Sequence, residues 1–274
     1  MSVTNETSEF RSGWLFFKRG LNRQKSAIWA LVFKEFKLKL GKSRIGLFWV
    51  LVQPIFSMLM ISGIWYMTGR VQVHGTNVTL YIGSGFIIFL TVRQGLGYIA
   101  NAIDANQALL NYPQVKPIDT ILARFVEGMW LHAWASVLLI LGLWWILGVK
   151  PTFPDLPLAL ECVFGAMLLA LGFALPLAVL GTLNDGIMKF VNIISQPLMI
   201  FSGVVFSIHD LPASFQGVLA LNPIVHLVEG FRAGAFGNPL FNEFDLGYPL
   251  RFGVISLGFG YALYFRYRFK LLQK

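Results

Sequence analysis

The chain has 274 residues, of which 56% are hydrophobic and 13% are charged, and its mean hydropathy is +0.65. A soluble domain carries about twice this charged fraction, so the composition excludes an ordinary soluble protein and predicts a polytopic membrane protein. The net charge is +9. Because the basic residues collect beside apolar segments, we attribute this charge to topology and lipid contact and not to nucleic acid binding.

The first 44 residues are basic and amphipathic. Apolar side chains recur there at helical spacing, at Phe10, Trp14, Phe17 and Leu21. With basic residues on the opposite face, this pattern predicts a helix that lies flat in the cytoplasmic interface. A second basic segment, residues 24–42, has the same character. Lipid anchoring alone and a part in admitting substrate both remain open for these segments.

Residues 45–67 contain no formal charge and are long enough to cross a bilayer as a helix. Five further apolar segments follow, at residues 80–102, 128–149, 162–183, 190–208 and 247–268. The sequence therefore predicts an all-α integral membrane protein with six spans over residues 45–268. The first 46 residues hold ten Lys and Arg, whereas the loops on the other side hold four. By the positive-inside rule, both termini and the short tail 269–274 are expected in the cytoplasm.

The cytoplasmic loop at residues 101–117 is longer than a connection between two spans requires. Residues 104–112 are predicted to form a short helix that ends before Pro113 and Pro117. This helix is a candidate docking element for a partner protein, and the alternative is a simple connector.

The outer loop contains a second unusual segment, residues 209–236. Asn222 followed by Pro223 is typical of a helix start, because Asn caps a helix and Pro fits its first position. The apolar pieces on either side are too short to span, so they predict a re-entrant helical hairpin between spans five and six. Glu229 and Arg232 stand three residues apart and are expected to pair.

The sequence carries no phosphate-binding glycine loop, zinc-protease motif or serine-hydrolase motif. The four histidines are scattered, and Cys162 is the single cysteine. Ion-coupled transport normally requires carboxylates inside the spans, and Glu161 lies only at a span boundary. We therefore expect no catalytic residue, no metal site and no built-in energy source in this chain.

Arg93 is a cation inside the second span. It is expected either to lie on a polar translocation path or to form a structural pair with a neighbouring helix or a lipid phosphate. Aromatic faces could contact sugar rings along such a path, and the alternative is ordinary packing or lipid contact. The candidates lie in predicted spans one, two and five: Phe56, Phe89, Phe201 and Phe206.

A resemblance to a known family extends over essentially the whole chain. Three pieces of sequence carry it: LGKSRIGLFWVLVQP (40–54), ALLNYPQVKP (108–117) and NPIVHLVEGFR (222–232). In their order and topology they resemble the membrane subunit of a type-2 ABC exporter, and within that group the capsular-polysaccharide export permease. The resemblance implies a homodimer that engages two separate ATPase subunits, which bind ATP and Mg. It assigns the coupling contact to the loop after span two, and the matching residues are Asp104, Gln107, Leu109, Leu110, Tyr112 and Lys116.

The resemblance also implies an acidic polysaccharide on a phospholipid-linked end, a bacterial inner-membrane location, a periplasmic adaptor and an outer-membrane exporter. On that basis Lys39, Lys42 and Arg44 are expected at the glycolipid headgroup entrance, and Arg93 farther along the path. Export of O-antigen, teichoic acid or another glycolipid by the same architecture remains an alternative. An ATP-independent channel or carrier is a rival of a different class. A membrane-embedded glycan-processing enzyme is another rival, but no acid–base pair is visible for it.

Overall fold

A computed structural model describes residues 3–41, 44–148, 152–237 and 244–272, and this part of the chain is mostly helical. The helices are α1 (Val3–Gly41), α2 (Arg44–Met67), α3 (Val78–Gln94), α4 (Ala102–Ala105), α5 (Pro117–Leu147), α6 (Leu156–Leu183), α7 (Asp185–Phe201), α8 (Ala213–Leu219), α9 (Pro223–Phe236) and α10 (Gly247–Tyr267). One antiparallel hairpin joins α2 to α3, with β1 (Gln72–Val73) paired to β2 (Thr76–Asn77).

Three helical segments in the described part are long and apolar enough to cross a membrane. They are Val78–Ile99, Pro117–Trp145 and Leu156–Leu183, and Val52–Met67 of α2 is a shorter apolar stretch. These segments confirm the prediction of a helical membrane protein.

Helix α6 lies at the centre of the fold, between α3, α9 and α10. Small residues allow it to approach α10 closely. A Cβ atom on Gly172 would lie 2.9 Å from the Gly253 carbonyl oxygen, and one on Gly260 would lie 2.6 Å from Pro176 Cδ. Close backbone approach at small residues is a usual basis of helix packing in membranes, where van der Waals contact replaces the hydrophobic effect between helices.

The last turn of the predicted second span is not α-helical. Residues Gly95–Ile99 form a π-helical turn directly after α3. Here Gly95 packs on the α6 backbone so closely that a Cβ atom would lie 2.0 Å from the Ala170 carbonyl oxygen. Turns of this type often mark functional positions, and Gly97 and Tyr98 of this turn border the cavity described below.

Several boundaries differ from the sequence prediction. Helix α1 is one continuous helix of 39 residues, not two segments. Helix α5 begins at Pro117, because Pro occupies the first helical position and the Asp119 carboxylate accepts a hydrogen bond from the Lys116 N–H at 3.0 Å. The predicted third span begins only at residue 128 and therefore omits the polar first turns of this helix. Helix α7 ends at Phe201, since Gly203 adopts a left-handed conformation with φ of 67°. Phe206 therefore lies beyond the helix, and not within a fifth span.

Candidate translocation cavity and its adjacent charge cluster

A cavity of about 670 Å³ lies among α2, α3, α5 and α7. Its described lining combines aromatic, amide and hydroxyl side chains with two cations. The aromatic residues are Phe56, Phe86 and Tyr98, the amides are Gln53, Gln94, Asn192 and Gln196, the hydroxyl residues are Ser57 and Ser195, and the cations are Lys39 and Arg93. This volume lies within the usual range for ligand sites.

The charge of this lining has one sign. Among the described residues that border the cavity there is no Asp or Glu. The lining therefore favours a negatively charged occupant, while the amides and hydroxyls provide both donors and acceptors. Such groups match the hydroxyls of a sugar chain, and the aromatic faces match its apolar C–H surfaces.

The structure brings two of the predicted path residues to this cavity, Phe56 and Arg93. Phe56 is exposed, and Arg93 is partly exposed. Phe89 is fully buried in the main hydrophobic core. Phe206 packs beside Ile208, Leu219 and Val225, outside the cavity.

Phe201 is exposed on α7 and does not border the cavity. The sequence prediction did not single out Phe86 and Tyr98, which do. Aromatic residues are too frequent in the spans for sequence alone to separate lining positions from packed ones.

The end of the cavity beside α1 contains an ion pair that the sequence did not predict. Lys39 Nζ lies 2.7 Å from Glu127 Oε1 and 4.0 Å from the centre of the Tyr98 ring. Of the three predicted headgroup residues, Lys39 is thus engaged by a carboxylate, Lys42 lies outside the described residues, and Arg44 is described only as the first residue of α2. Glu127 stands one position before the predicted third span, so the span prediction did not include it.

A second charged group lies beside this pair and connects α1 to α5. Arg124 Nε lies 3.4 Å from Glu35 Oε1, and the Arg124 guanidinium donates to the carbonyl oxygens of Tyr98 and Asn101 at 3.0 and 3.1 Å. Burial raises the pKa of the Glu35 carboxyl, but Arg124, the Asn106 amide and Lys34 together outweigh burial and hold this pKa below its usual value of 4.5. Glu35 is therefore a buried carboxylate that stays ionised at neutral pH.

The predicted coupling helix over residues 104–112 is wrong as a single helix. The chain forms the short α4 and then a 3-10 turn, Gln107–Leu109, with Asn106 between them. The Asn106 side chain is buried, donates to the Ala102 carbonyl at 2.9 Å and to Glu35 Oε1 at 3.1 Å, and accepts from Lys34. These contacts fix Asn106 in a non-helical conformation, as Asn often does when its side chain competes for local backbone groups.

The proposed coupling residues fall into exposed and packed groups. Asp104, Tyr112 and Lys116 are exposed. Leu110 is buried, and Leu109 packs against the cluster that Leu31 and Val32 of α1 form with Ala123 of α5. The segment thus presents a polar and aromatic surface while its leucines attach it to the protein.

Helix α9 is held in place by a buried charge. Asn222 caps α9, accepting from the Ile224 N–H at 3.0 Å, and Pro223 takes the first helical position. Arg232 is fully buried, and its Nη1 lies 2.9 Å from Glu229 Oε1. The predicted pair therefore forms. The same guanidinium donates to the carbonyl oxygens of Tyr81 and Val204, each at 3.2 Å, which joins α9 to α3 and to the segment after α7.

A helical membrane protein with a polar, cationic cavity and a charge cluster beside it has the architecture expected of a transport permease. The sequence model of the family described as ABC-2 type transporter matches residues 26–236. The chain belongs to this family, and the resemblance identified from the sequence is confirmed.

Similar proteins include the polysialic acid transport protein KpsM of Escherichia coli, which is 29% identical over 250 residues that cover 90% of this chain and 95% of KpsM. The capsule polysaccharide export inner-membrane protein CtrC of Neisseria meningitidis serogroup A is 28% identical, covering 92% of this chain and 94% of CtrC. The capsule polysaccharide export inner-membrane protein BexB of Haemophilus influenzae is 26% identical, covering 85% and 87% respectively.

Proposed function

We propose that this chain is the transmembrane subunit of an ATP-driven exporter that moves an acidic, lipid-linked capsular polysaccharide across the bacterial inner membrane. The single observation that carries this proposal is the cavity lining, which in its described part holds Lys39 and Arg93 but no carboxylate. The printed names of the similar proteins, which are capsule or polysialic acid transporters, support the same substrate class.

For the transport path, we propose that Arg93 attracts the polyanion and that Phe56, with Phe86, offers an apolar face to the sugar rings. Lys39 borders the same space at its cytoplasmic end and, with Lys42 and Arg44, would receive the glycolipid headgroup. Phe89 and Phe206 would act through packing, and Phe201 through the exposed face of α7.

For the assembly, we propose six spans with both termini in the cytoplasm, formed by α2, α3, α5, α6, α7 and α10. A second copy of the chain would complete the conduit. The exposed apolar face of α7 supports this, because Phe190, Ile193 and Phe201 point out of the single subunit beside the cavity wall. Helix α1 would lie at the cytoplasmic interface, and α8 and α9 would form the re-entrant hairpin, stabilised by the buried Glu229–Arg232 pair.

For the energy source, we propose that two separate ATPase subunits bind ATP and Mg and contact the segment from Asp104 to Lys116. The exposure of Asp104, Tyr112 and Lys116 supports this contact. A periplasmic adaptor and an outer-membrane exporter would carry the polymer onward, and the chain itself would bind no cofactor.

The test is reconstitution of the chain with its ATPase in proteoliposomes, followed by measurement of ATP-dependent movement of an acidic lipid-linked polysaccharide. A neutral polysaccharide on the same lipid is the control. The proposal expects transport of the acidic polymer that requires both ATP and the partner ATPase. Transport without ATP would favour the channel or carrier, preference for the neutral polymer would contradict the acidic substrate class, and turnover of the lipid-linked sugar by this chain alone would indicate an enzyme.

A further inference from the structure

Lys39 borders the cavity on one side and contacts a buried carboxylate on the other. Its side chain is 24% exposed and borders the cavity, while its Nζ lies 2.7 Å from Glu127 Oε1. Glu127 is fully buried and does not border the cavity. An anion in the cavity would therefore approach Lys39 from the open side, with Glu127 behind the ammonium group.

Glu127 depends on Lys39 for its counter-charge. The nearby Arg124 is engaged by Glu35 at 3.4 Å and by the Tyr98 and Asn101 carbonyls. Among the described residues, the ion pair that Glu127 forms is the one with Lys39. A buried carboxylate is unfavourable unless a cation compensates it, so in the substrate-free protein this pair is held together by burial as well as by charge.

The second cation of the cavity is in a different situation. Arg93 borders the cavity, and among the described residues no carboxylate lies within ion-pair distance of it. Arg93 thus has no carboxylate partner among the described residues, whereas Lys39 is already held by the Glu127 carboxylate. A path that must release its cargo needs binding that is favourable at each point but not too tight, and an internal competitor provides such a limit.

Building on the function proposed above, we infer that Glu127 is an internal counter-anion that competes with the substrate for Lys39 at substrate entry. It holds Lys39 in the empty cavity, and an anionic oxygen group of the substrate displaces it. This group is either a carboxylate of the polymer or the phosphate of its lipid linker. Glu127 therefore weakens binding of any anion at Lys39 and leaves the binding of neutral sugars unchanged.

The test measures binding to the purified complex of this chain with its ATPase, in neutral lipid nanodiscs without ATP. Three probes are compared: an oligomer of sialic acid for polymer carboxylates, dihexanoyl phosphatidylglycerol for a lipid phosphate, and a dextran oligomer as the neutral control. The variants are Glu127→Gln, Glu127→Asp, Lys39→Met and the double variant Glu127→Gln with Lys39→Met. Glu161→Gln is the matched control, because it removes one carboxylate from an exposed position on α6 that does not border the cavity.

We expect Glu127→Gln to bind at least one anionic probe roughly tenfold more tightly, since a charge-assisted competitor has been removed. The anionic probe whose binding tightens identifies the displacing group. Dextran binding and Glu161→Gln should match the wild type, and the double variant should bind no more tightly than Lys39→Met. Glu127→Asp, which keeps the charge on a shorter side chain, should lie between the wild type and Glu127→Gln.

A purely structural pair would give a different result. The deciding case is one in which the wild type prefers the anionic probes and Glu127→Gln has the wild-type melting temperature. If Glu127→Gln then binds neither anionic probe more tightly than the wild type does, the inference is overturned. If Glu127→Gln does not fold, the same comparison is made with Glu127→Asp, and unchanged or weaker affinity overturns the inference. If the wild type itself shows no preference for the anionic probes over dextran, the proposed function fails together with the inference.

Discussion

The guanidinium of Arg232 lies over the ring of Tyr81, 3.5 Å from its centre, and donates to the Tyr81 hydroxyl at 2.7 Å. These two residues are far apart in sequence and belong to α9 and α3. Stacking and hydrogen bonding of a fully buried Arg to one Tyr connect α9 to α3. The contact makes α9 part of the protein core and leaves little of it at the surface.

Replacing Arg232 with Met should destabilise the fold strongly. The change leaves Glu229 as a buried charge without its cation and removes the donors to the Tyr81 and Val204 carbonyls. The expected loss in free energy of unfolding is about 3–5 kcal/mol, measured by thermal or denaturant unfolding in detergent.

The double variant Glu229→Gln with Arg232→Met should recover part of this loss, because it no longer buries an unpaired carboxylate. A double variant that loses the full sum of the two single changes would contradict the described pairing. Arg232→Lys should also be destabilised, since an ammonium group cannot reproduce the planar set of hydrogen bonds.

Adding a single methyl group at Gly95 should disrupt the contact between the second span and α6. A Cβ atom there would lie 2.0 Å from the Ala170 carbonyl oxygen, and a backbone atom cannot move aside as a flexible side chain can. Gly95→Ala is expected to cost about 1–3 kcal/mol or more, by the usual cost of overpacking. Gly97→Ala is the matched control in the same turn, because its Cβ would meet no atom within 4 Å. Equal melting temperatures for the two variants would contradict the close approach.

The long apolar helices were predictable from sequence to the extent that apolar length determines them. The first and last predicted apolar segments match α2 and α10 within a residue of their helical ends. The start of α5 was not, because its first turns carry Asp119, Arg124 and Glu127. Those polar side chains are buried by contact with α1 and the α3–α4 region, and such tertiary burial leaves no periodic apolar signal in the sequence.

Stability should depend on pH through Glu35. Its pKa is lowered in the folded protein, so its contribution is fully present above the unfolded value of 4.5 and is lost as the pH falls below this value through the folded pKa. The melting-temperature difference between wild type and Glu35→Gln should therefore be largest near neutral pH and should shrink below pH 4.5. A difference that stays constant from pH 7 to pH 4 would contradict the lowered pKa.

Substitutions between Asp104 and Lys116 should distinguish residues that contact the ATPase from residues that pack inside the protein. Tyr112 is 62% exposed, whereas Leu110 is 8% exposed. Tyr112→Ala is expected to weaken co-purification with the ATPase and to leave the melting temperature unchanged. Leu110→Ala should lower the stability of the isolated chain by about 2–5 kcal/mol, the usual cost of a buried Leu truncation. Full ATPase assembly and ATP-dependent export with Tyr112→Ala would argue against this segment as the contact.

The cavity was only partly predictable. Arg93 stood out because a cation inside an apolar span is rare. The Lys39–Glu127 pair did not, because it joins positions 88 residues apart along the chain, by their residue numbers. Which aromatics border the cavity depends on helix rotation, and the uniformly apolar spans do not encode that rotation in a sequence pattern.

The central claim is that the cationic cavity carries an acidic polymer, and Arg93 tests it most directly. Wild type, Arg93→Ala and Arg93→Lys should be reconstituted with the ATPase, and ATP-dependent movement of acidic lipid-linked polysaccharide measured in proteoliposomes. We expect Arg93→Ala to lower the transport rate about tenfold through loss of one charge-assisted contact, and Arg93→Lys to retain most of it. Transport of the acidic polymer by Arg93→Ala at the wild-type rate would contradict the claim.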